Sequence, residues 1–350
     1  MKSDSTSSLR IATPDGWSLH LASYPLLPAR PADGAGGGDG PPAAMLLGAG
    51  MMLDGRAMDR PAGRGLASFF QARGFAVYCL DLRGHGQSRP HASRRVDWGF
   101  DELVMADIPA AVRAVKERHP GLPLVWLGHS LSAHAGAAAV GLRPELPVDL
   151  LVLMCPGPWL RAFEPSWSLW QAKRGVLGLW DATAALCGRF PAARLGIGTD
   201  DESRTYVLQN RQWAASGRWQ SRDGAADYLA ALARVRCPAL VVAAGADLLC
   251  RPRSVRAFAA AIGAAGGGAE LWEVTGRDLG RRLPPAHMEM ITARPSLPVW
   301  ERIAAWLCAG LAAFPAAGSV LAGPPPAART SEQPDLAEQP LSAGRRAWRC

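Results

Sequence analysis

The sequence lacks the cysteine spacing of a disulfide framework or of a zinc site. Its seven cysteines stand singly, and no two of them form a Cys-x-x-Cys pair. Several lie in or beside apolar runs, which is typical of reduced, buried thiols. The first residues of the chain also lack the apolar stretch of a signal peptide. We therefore expect a cytoplasmic protein, and because no histidine, cysteine or carboxylate cluster has ligand spacing, we expect no metal ion and no cofactor.

Patterns for binding phosphate, nucleic acid or membrane are also missing. The glycine-rich stretch 31–42 contains no Gly-Lys-Ser/Thr, and Leu53 occupies the position where a dinucleotide-binding motif beginning at Gly48 needs its last glycine. The net charge of +8 comes mainly from scattered arginines, with no basic stripe interleaved with aromatic residues, so we expect no nucleic-acid partner. The uncharged stretch 303–323 contains Pro315 and three glycines, which argues against a stable membrane span.

What the sequence does have is a regular alternation of short apolar runs and helical patterns. This alternation predicts a mostly parallel sheet covered by helices on both faces. The predicted strands are 9–12, 17–24, 44–47, 75–80, 123–127, 150–155, 239–243 and 269–274, and the predicted helices include 56–73, 107–117, 254–262 and 299–314.

Residues 156–236 break this alternation, because they are rich in tryptophan, proline and glycine and contain no strong strand pattern. We predict that they form a lid inserted between two parts of one α/β core, 1–155 and 237–314. Beyond Pro315 the composition is typical of disorder, so 315–350 is predicted to be a disordered tail.

The stretch that organises the chain is Leu127-Gly128-His129-Ser130-Leu131-Ser132-Ala133. It follows a predicted buried strand and precedes a small-residue run that is suited to a helix packed flat on a sheet. A serine in a sharp turn between strand and helix is the context of a nucleophile elbow. The helix would direct its N-terminus at negative charge that develops beside the serine.

A serine hydroxyl becomes a good nucleophile only when a histidine accepts its proton and a carboxylate orients that histidine. Asp247 directly follows a predicted strand, and His287 is the only histidine after the final strand. Ser130, Asp247 and His287 are therefore the candidate catalytic residues. An oxyanion hole needs two amides, for which we expect Leu131 and either Gly50 or Met51.

Together, the stretch Asp81–Ser88 (DLRGHGQS), the elbow at Ser130, Asp247 and His287 resemble the α/β-hydrolase superfamily, and within it the serine aminopeptidase and monoacylglycerol lipase-like group. The resemblance extends over roughly 9–314. It implies an α/β-hydrolase fold with a helical lid insertion, and it implies the roles of nucleophile, acid and base for Ser130, Asp247 and His287.

Three positions depart from the pattern of the group. Ser132 replaces the second glycine of the elbow, Gly48-Ala49 stands where many relatives have His-Gly, and Met288 follows the histidine where relatives often have glutamate. These changes leave the triad in place and bear on substrate class and on the level of activity.

The expected function is that of a serine hydrolase that cleaves a carboxylic ester, with an acyl lipid as one candidate because of the tryptophan-rich insertion. The expected partner is thus a small apolar ester or acyl substrate. An acyltransferase could use the same triad, and a non-catalytic binding protein could keep the fold and pocket. Ser132 is the feature that favours the non-catalytic alternative.

Overall fold

The structure is a computed structural model that describes residues 7–24, 43–93, 95–263, 268–292 and 294–314. These residues form an eight-stranded sheet with the strand order β1-β2-β4-β3-β5-β6-β7-β8. The strands β1 and β2 pair antiparallel, β2 pairs antiparallel with β4, and every remaining pair is parallel. This agrees with the predicted α/β-hydrolase architecture.

The strands lie close to the apolar runs of the sequence. They are β1 (Ser7–Ala12), β2 (Ser18–Tyr24), β3 (Ala44–Gly48), β4 (Ala76–Asp81), β5 (Leu124–His129), β6 (Leu150–Met154), β7 (Ala239–Ala244) and β8 (Glu270–Val274). Every residue of β3 to β7 is buried. Continuous burial is expected for parallel strands that helices cover on both faces, and it explains why their sequences are apolar throughout rather than alternating.

Helices connect the strands and cover the sheet. They are α1 (Leu66–Gln71), α2 (Phe100–Glu102), α3 (Ile108–Arg118), α4 (Leu131–Leu142), α5 (Trp167–Cys187), α6 (Arg204–Ser216), α7 (Tyr228–Leu232), α8 (Pro252–Ala261), α9 (Glu289–Thr292) and α10 (Leu297–Leu311). A π-helical turn, Leu103–Asp107, joins α2 to α3. All of α4 except Leu142 is buried, as its run of alanines and glycines predicts for a helix enclosed on several sides.

The prediction of one helix over 56–73 is wrong. The structure has a 3-10 turn at Gly55–Asp59, then a loop, and a helix only from Leu66 to Gln71. The Asp59 carboxylate accepts hydrogen bonds from the backbone N–H groups of Gly63 and Gly65, at 2.9 and 3.0 Å. This side chain offers the backbone an alternative to helical hydrogen bonds, and Gly63, with a φ of +75°, lies outside helical geometry.

Residues 156–236, for which we predicted a lid insertion, are all described and contain α5, α6, α7 and no strand. Within this segment, Lys173 and Glu164 form a buried ion pair, with Lys173 Nζ 3.0 Å from Glu164 Oε2. We refer to 156–236 as the insertion.

Among the described residues, no helix is both long enough and apolar enough to cross a membrane. The uncharged stretch 303–323 does not form one continuous helix, because α10, which contains its first part, ends at Leu311. The glycine-rich stretch 31–42 and the predicted tail, 315–350, lie outside the described residues.

Candidate active site

Ser130 lies in the turn between β5 and α4 with a backbone φ of +52° and ψ of −114°. Few residues other than glycine adopt a positive φ, and such a conformation costs on the order of 1–3 kcal/mol. Hydrogen bonds hold the turn: Ser130 N donates to Met154 O at 2.9 Å, and Ala133 N donates to Ser130 O at 3.1 Å. The sequence-predicted elbow therefore has the strained geometry that lifts a serine side chain away from the strand.

Ser132, the unusual residue of the elbow, is accommodated by its neighbours. Its Oγ donates a hydrogen bond to Ala49 O at 2.5 Å. A Cβ at Gly48 on the adjacent strand would lie only 2.6 Å from Ser132 Cβ, so the side chain at 132 is possible because 48 has none. The departure at 132 is thus compensated at 48, and the feature that favoured a non-catalytic protein has a structural explanation.

Asp247 and His287 meet although 40 residues separate them, with His287 Nδ1 2.6 Å from Asp247 Oδ2. The other carboxylate oxygen, Oδ1, accepts hydrogen bonds from Leu249 N and Cys250 N at 2.8 and 2.9 Å. Both of these side chains are buried. Because a carboxylate only accepts, His287 Nδ1 carries the proton in this bond, which leaves Nε2 of the neutral ring as a proton acceptor.

His129, the last residue of β5, contacts His287 from the strand side. The two ring centroids are 4.6 Å apart, and His129 Nε2 lies 3.2 Å from the His287 carbonyl oxygen. Burial, followed by the neighbouring His287, holds the pKa of His129 well below its usual value. A neutral His129 that donates from Nε2 therefore supports the backbone of His287.

Three backbone amides are available beside the serine. In the described part of the chain, no acceptor takes the N–H of Leu131, Gly50 or Met51. Gly50 approaches the serine closely, since a Cβ there would lie 3.3 Å from Ser130 Cβ. The predicted oxyanion residues thus lie around Ser130, and both Gly50 and Met51 remain candidates for the second donor.

One cavity of about 510 Å³ joins these groups. It contains Ser130, His287 and the three residues with free amides, whereas Asp247 lies behind His287, outside the lining. Most of the remaining wall is apolar and comes from both the core and the insertion: Met52, Leu53, Trp159, Leu177, Trp180, Ile197, Val207, Leu249 and Met288. This size is typical of a small-molecule site, and the wall suits an apolar ligand.

Two histidines that border the site have different environments. His134 on α4 lines the cavity, and burial lowers its pKa to about 3, so it is neutral. His85 is buried outside the cavity lining, and its Nε2 lies 3.4 Å from Glu202 Oε2. Burial lowers the pKa of His85, but the charge and hydrogen bond of Glu202, together with the Arg83 carbonyl and Asp200, outweigh it and raise the pKa to about 9.

The stretch Asp81–Ser88 supports the site without lining it. Asp81 Oδ1 accepts from Gly55 N at 2.6 Å, and its Oδ2 contacts His20 Nδ1 at 2.8 Å. The buried Arg83 guanidinium bonds to Asp107 Oδ1 at 2.6 Å. The bond from Gly55 N fixes the loop that follows β3 against the end of β4, and the Arg83 bond ties the residues after β4 to the turn before α3.

Two groups of side chains have potential metal ligands within 4.8 Å of one another, His129-Cys155-His287 and Asp247-Cys250-His287. The sequence did not reveal them, because their members are far apart along the chain. Burial raises the pKa of both thiols, and the proton on His287 Nδ1 is already shared with Asp247. The donor set therefore fits a catalytic triad better than a metal site.

Residues 199–202 of the insertion also contact the loop after β3, although they were not among the predicted site residues. Thr199 N donates to Met52 O at 2.8 Å, and Glu202 Oε2 accepts from Met52 N at 3.4 Å. No local pattern marks these residues, because each contact spans about 150 positions of the chain.

Comparison with known proteins agrees with this architecture. The monoacylglycerol lipase of Mycolicibacterium smegmatis is 30% identical over 113 residues, which are 32% of this chain and 38% of that protein. The match thus spans about two fifths of the length of this curated relative.

Solved structures match over most of the chain. The structure of DcsB in complex with its substrate analogue has a TM-score of 0.57 at 17% identity and covers 88% of this chain and 99% of that one. The α/β-hydrolase GrgF from Penicillium sp. has a TM-score of 0.56 at 16% identity, with 88% and 98% coverage. The Pyrococcus furiosus esterase Pf2001 has a TM-score of 0.53 at 17% identity, with 86% and 90% coverage. At these identities the likeness shows the fold alone.

A family model described as serine aminopeptidase, S33, matches residues 51–273. The match includes Ser130 and Asp247 and ends before His287. Because it spans more than half of the chain, this protein belongs to the S33 serine aminopeptidase family of hydrolases, in the α/β-hydrolase superfamily.

Proposed function

We propose that this protein is a serine hydrolase that cleaves carboxylic esters through an acyl-enzyme on Ser130. The observation that carries the proposal is one cavity that contains a strained Ser130 and a His287 whose Nδ1 is bonded to the buried Asp247. Nucleophile, base and orienting carboxylate are the parts that acyl transfer requires.

In the first half-reaction, Ser130 Oγ attacks the carbonyl carbon of the ester while its proton passes to His287 Nε2. The carbonyl oxygen becomes an oxyanion, and the N–H groups of Leu131 and of Gly50 or Met51 donate hydrogen bonds to it. The C–O bond to the alcohol then breaks, and the proton on His287 passes to the departing alcohol oxygen. Asp247 stabilises the imidazolium that exists between these two transfers.

In the second half-reaction, water replaces the alcohol. His287 Nε2 takes a proton from the water, whose oxygen attacks the acyl carbon and regenerates an oxyanion in the same position. The bond to Ser130 Oγ breaks, the serine recovers its proton from His287, and a carboxylic acid leaves. The same two amides serve both steps, because the oxyanion forms at the same place.

The substrate we propose is an ester with an apolar acyl chain, of which an acyl lipid is one example. The support is the wall of the cavity, where tryptophan, leucine, methionine and isoleucine side chains surround the serine. The named relative, a monoacylglycerol lipase, is consistent with this class. We also propose that the insertion is the lid of the cavity, because Trp159, Leu177 and Trp180 belong to it and line the wall.

The test is labelling by a fluorophosphonate probe, comparing the intact protein with Ser130→Ala. We expect labelling of the intact protein and none of the variant, together with hydrolysis of p-nitrophenyl esters that improves as the acyl chain lengthens from acetate. The matched control is Ser132→Ala, which removes a hydroxyl two residues away and is expected to keep the label.

No labelling and no ester hydrolysis by the folded intact protein would overturn the proposal and favour the non-catalytic alternative. Labelling accompanied by acyl transfer to an added alcohol in preference to water would instead identify an acyltransferase that uses the same triad.

A further inference from the structure

Met52, in the loop after β3, has a backbone φ of +62°. For a residue with a side chain this left-handed conformation is unfavourable by about 1–2 kcal/mol, so other contacts must hold it. Met52 lies directly after Met51 and two residues after Gly50, the candidates for the second oxyanion donor. The strained backbone of Met52 therefore adjoins the Gly50 and Met51 amides, and its conformation affects the direction in which they point.

The contacts that hold Met52 come from the insertion. Its carbonyl oxygen accepts hydrogen bonds from Thr199 N at 2.8 Å and from Asp200 N at 3.1 Å. Its N–H points to Glu202 Oε2 at 3.4 Å. Three residues, Thr199, Asp200 and Glu202, thus satisfy both backbone polar groups of the strained residue. We name the segment 199–202 the strap.

The strap also holds the end of the same loop that follows Met52. Thr199 Oγ1 accepts from Asp54 N at 3.1 Å, on the far side of Met52. A Cβ at Gly198 would lie 2.5 Å from Met52 Cβ, so a glycine at this position permits the close approach. Asp200 Oδ1 accepts from Gly86 N at 3.0 Å, which ties the strap to the loop after β4 as well.

Glu202, the last residue of the strap, is its buried carboxylate. It is 1% exposed, its Oε1 accepts from Ser203 N at 3.0 Å, and its Oε2 faces both Met52 N and His85 Nε2. A buried carboxylate is stable only when its charge is compensated, and the buried His85 supplies that compensation. Neither side chain lines the cavity, so the triad chemistry gives no reason for this pair.

We propose that Glu202 is a positioning residue for the oxyanion hole: it acts through Met52 to direct the Gly50 and Met51 amides at the reacting carbonyl. The inference rests on the proposed function, because an oxyanion exists only if Ser130 attacks an ester. It adds that the insertion builds part of the catalytic site and does not only cover it. A donor that is misdirected by about 1 Å loses much of its effect on the transition state.

The experiment compares Glu202→Met, Glu202→Gln and Glu164→Met in hydrolysis of a p-nitrophenyl ester, with kcat and KM measured separately. Methionine keeps the length of the side chain and removes both acceptor oxygens, whereas glutamine keeps one. Glu164 is the matched control, since it is a glutamate of the insertion that is 2% exposed and ion-paired with Lys173, and among the described residues it makes no hydrogen bond or ion pair to the loop after β3.

We expect kcat to fall about 10- to 100-fold in Glu202→Met with KM nearly unchanged, because the lost interaction acts in the transition state. Glu202→Gln should recover part of this loss. Glu164→Met should lower the melting temperature to a similar extent without the loss in kcat. Equal losses of kcat in the two methionine variants, or a change in KM alone, would overturn the proposal.

A second variant keeps the test decisive if Glu202→Met does not fold. Thr199→Val preserves shape and removes only the hydroxyl, which accepts from Asp54 N and donates to Asp200 Oδ2, with Met52 O a longer alternative at 3.4 Å. It should lower kcat severalfold, and an unchanged kcat in a folded Thr199→Val would count against the strap. Failure of the proposed function is distinguishable, because the intact protein would then show no ester hydrolysis and no fluorophosphonate label.

Discussion

The sheet and the insertion build their sides of the cavity by different physical means. On the sheet side, β3, β6 and β7 are fully buried and carry no ionisable side chain, and their cohesion comes from apolar packing and regular backbone hydrogen bonds. On the insertion side, buried ionisable groups hold the structure: Glu164 with Lys173, and Glu202 with His85.

This difference determines which conditions each side responds to. Apolar packing and backbone hydrogen bonds depend weakly on pH, whereas a buried ion pair is stable only while both groups are charged. The insertion and its contacts should therefore carry a charge-dependent part of the stability, beside that of the core pairs His20–Asp81 and Arg83–Asp107. The elbow and the parallel strands should keep their geometry when the insertion is perturbed.

The largest effect is expected on the sheet side from Asp247→Asn. Asparagine preserves the shape but can hold His287 in the wrong tautomer, so kcat for ester hydrolysis should fall by about 10⁴-fold. The melting temperature should change little by comparison. A kcat within tenfold of the unmodified protein would show that Asp247 is not the orienting carboxylate.

The next largest effect is expected in the insertion from Lys173→Met. This change leaves Glu164 buried without its partner, and such a loss typically costs about 3–5 kcal/mol in the free energy of unfolding. Urea denaturation followed by tryptophan fluorescence measures it. The double variant Lys173→Met/Glu164→Gln should recover much of the loss, because no uncompensated charge then remains.

The matched control for this pair is Arg256→Gln. Arg256 and Glu273 form an ion pair on the surface of the α/β core, with Arg256 Nη2 3.0 Å from Glu273 Oε2. Their side chains are 61% and 38% exposed. Water and salt screen such a pair, so the free energy of unfolding should change by no more than about 0.5 kcal/mol. A loss as large as that of Lys173→Met would remove the contrast between the two regions.

A smaller effect concerns pH and the pair of His85 with Glu202. Burial lowers the pKa of His85, but Glu202, the Arg83 carbonyl and Asp200 together raise it from 6.5 to about 9 in the folded protein. A raised folded pKa stabilises the protein fully below the unfolded pKa of 6.5, and this contribution is lost as pH rises through about 9. The loss should be on the order of 3 kcal/mol.

The measurement compares the unmodified protein with His85→Gln/Glu202→Gln from pH 6 to pH 10. The difference in the free energy of unfolding between the two proteins should shrink across this range, since the double variant has no charge to lose at the pair. A difference independent of pH would mean that His85 is not charged in the folded protein near neutral pH.

The sequence predicted the sheet side better than the insertion side, for a physical reason. Parallel strands that are buried on both faces must be apolar throughout, so their positions could be located directly from the chain. The turn at Ser130 followed from its position between a strand and a helix, and the pair of Asp247 with His287 followed from their positions after predicted strands in the order serine, acid, histidine. Roles for these three residues remain predictions that the labelling experiment addresses.

The errors and omissions occur where individual side chains, from nearby or from distant positions, decide the backbone. The Asp59 carboxylate replaces part of the helix predicted over 56–73 with a loop. The strain at Met52 depends on Thr199 and Glu202, about 150 residues away. The apolar pattern did not reveal the loop that Asp59 stabilises within its own segment, and local patterns carry no information about contacts as distant as those of Met52.

The close packing of Ser132 against Gly48 also restricts how this sequence can change. With serine at 132, a side chain at 48 would collide with it, since the added Cβ would lie 2.6 Å from Ser132 Cβ. A side chain at 48 therefore becomes acceptable only after 132 has become glycine, whereas Ser132→Gly requires no prior change. The two positions are epistatic. Any stepwise route from Gly48 with Ser132 to a side chain at 48 with glycine at 132 must pass through a form with glycine at both positions.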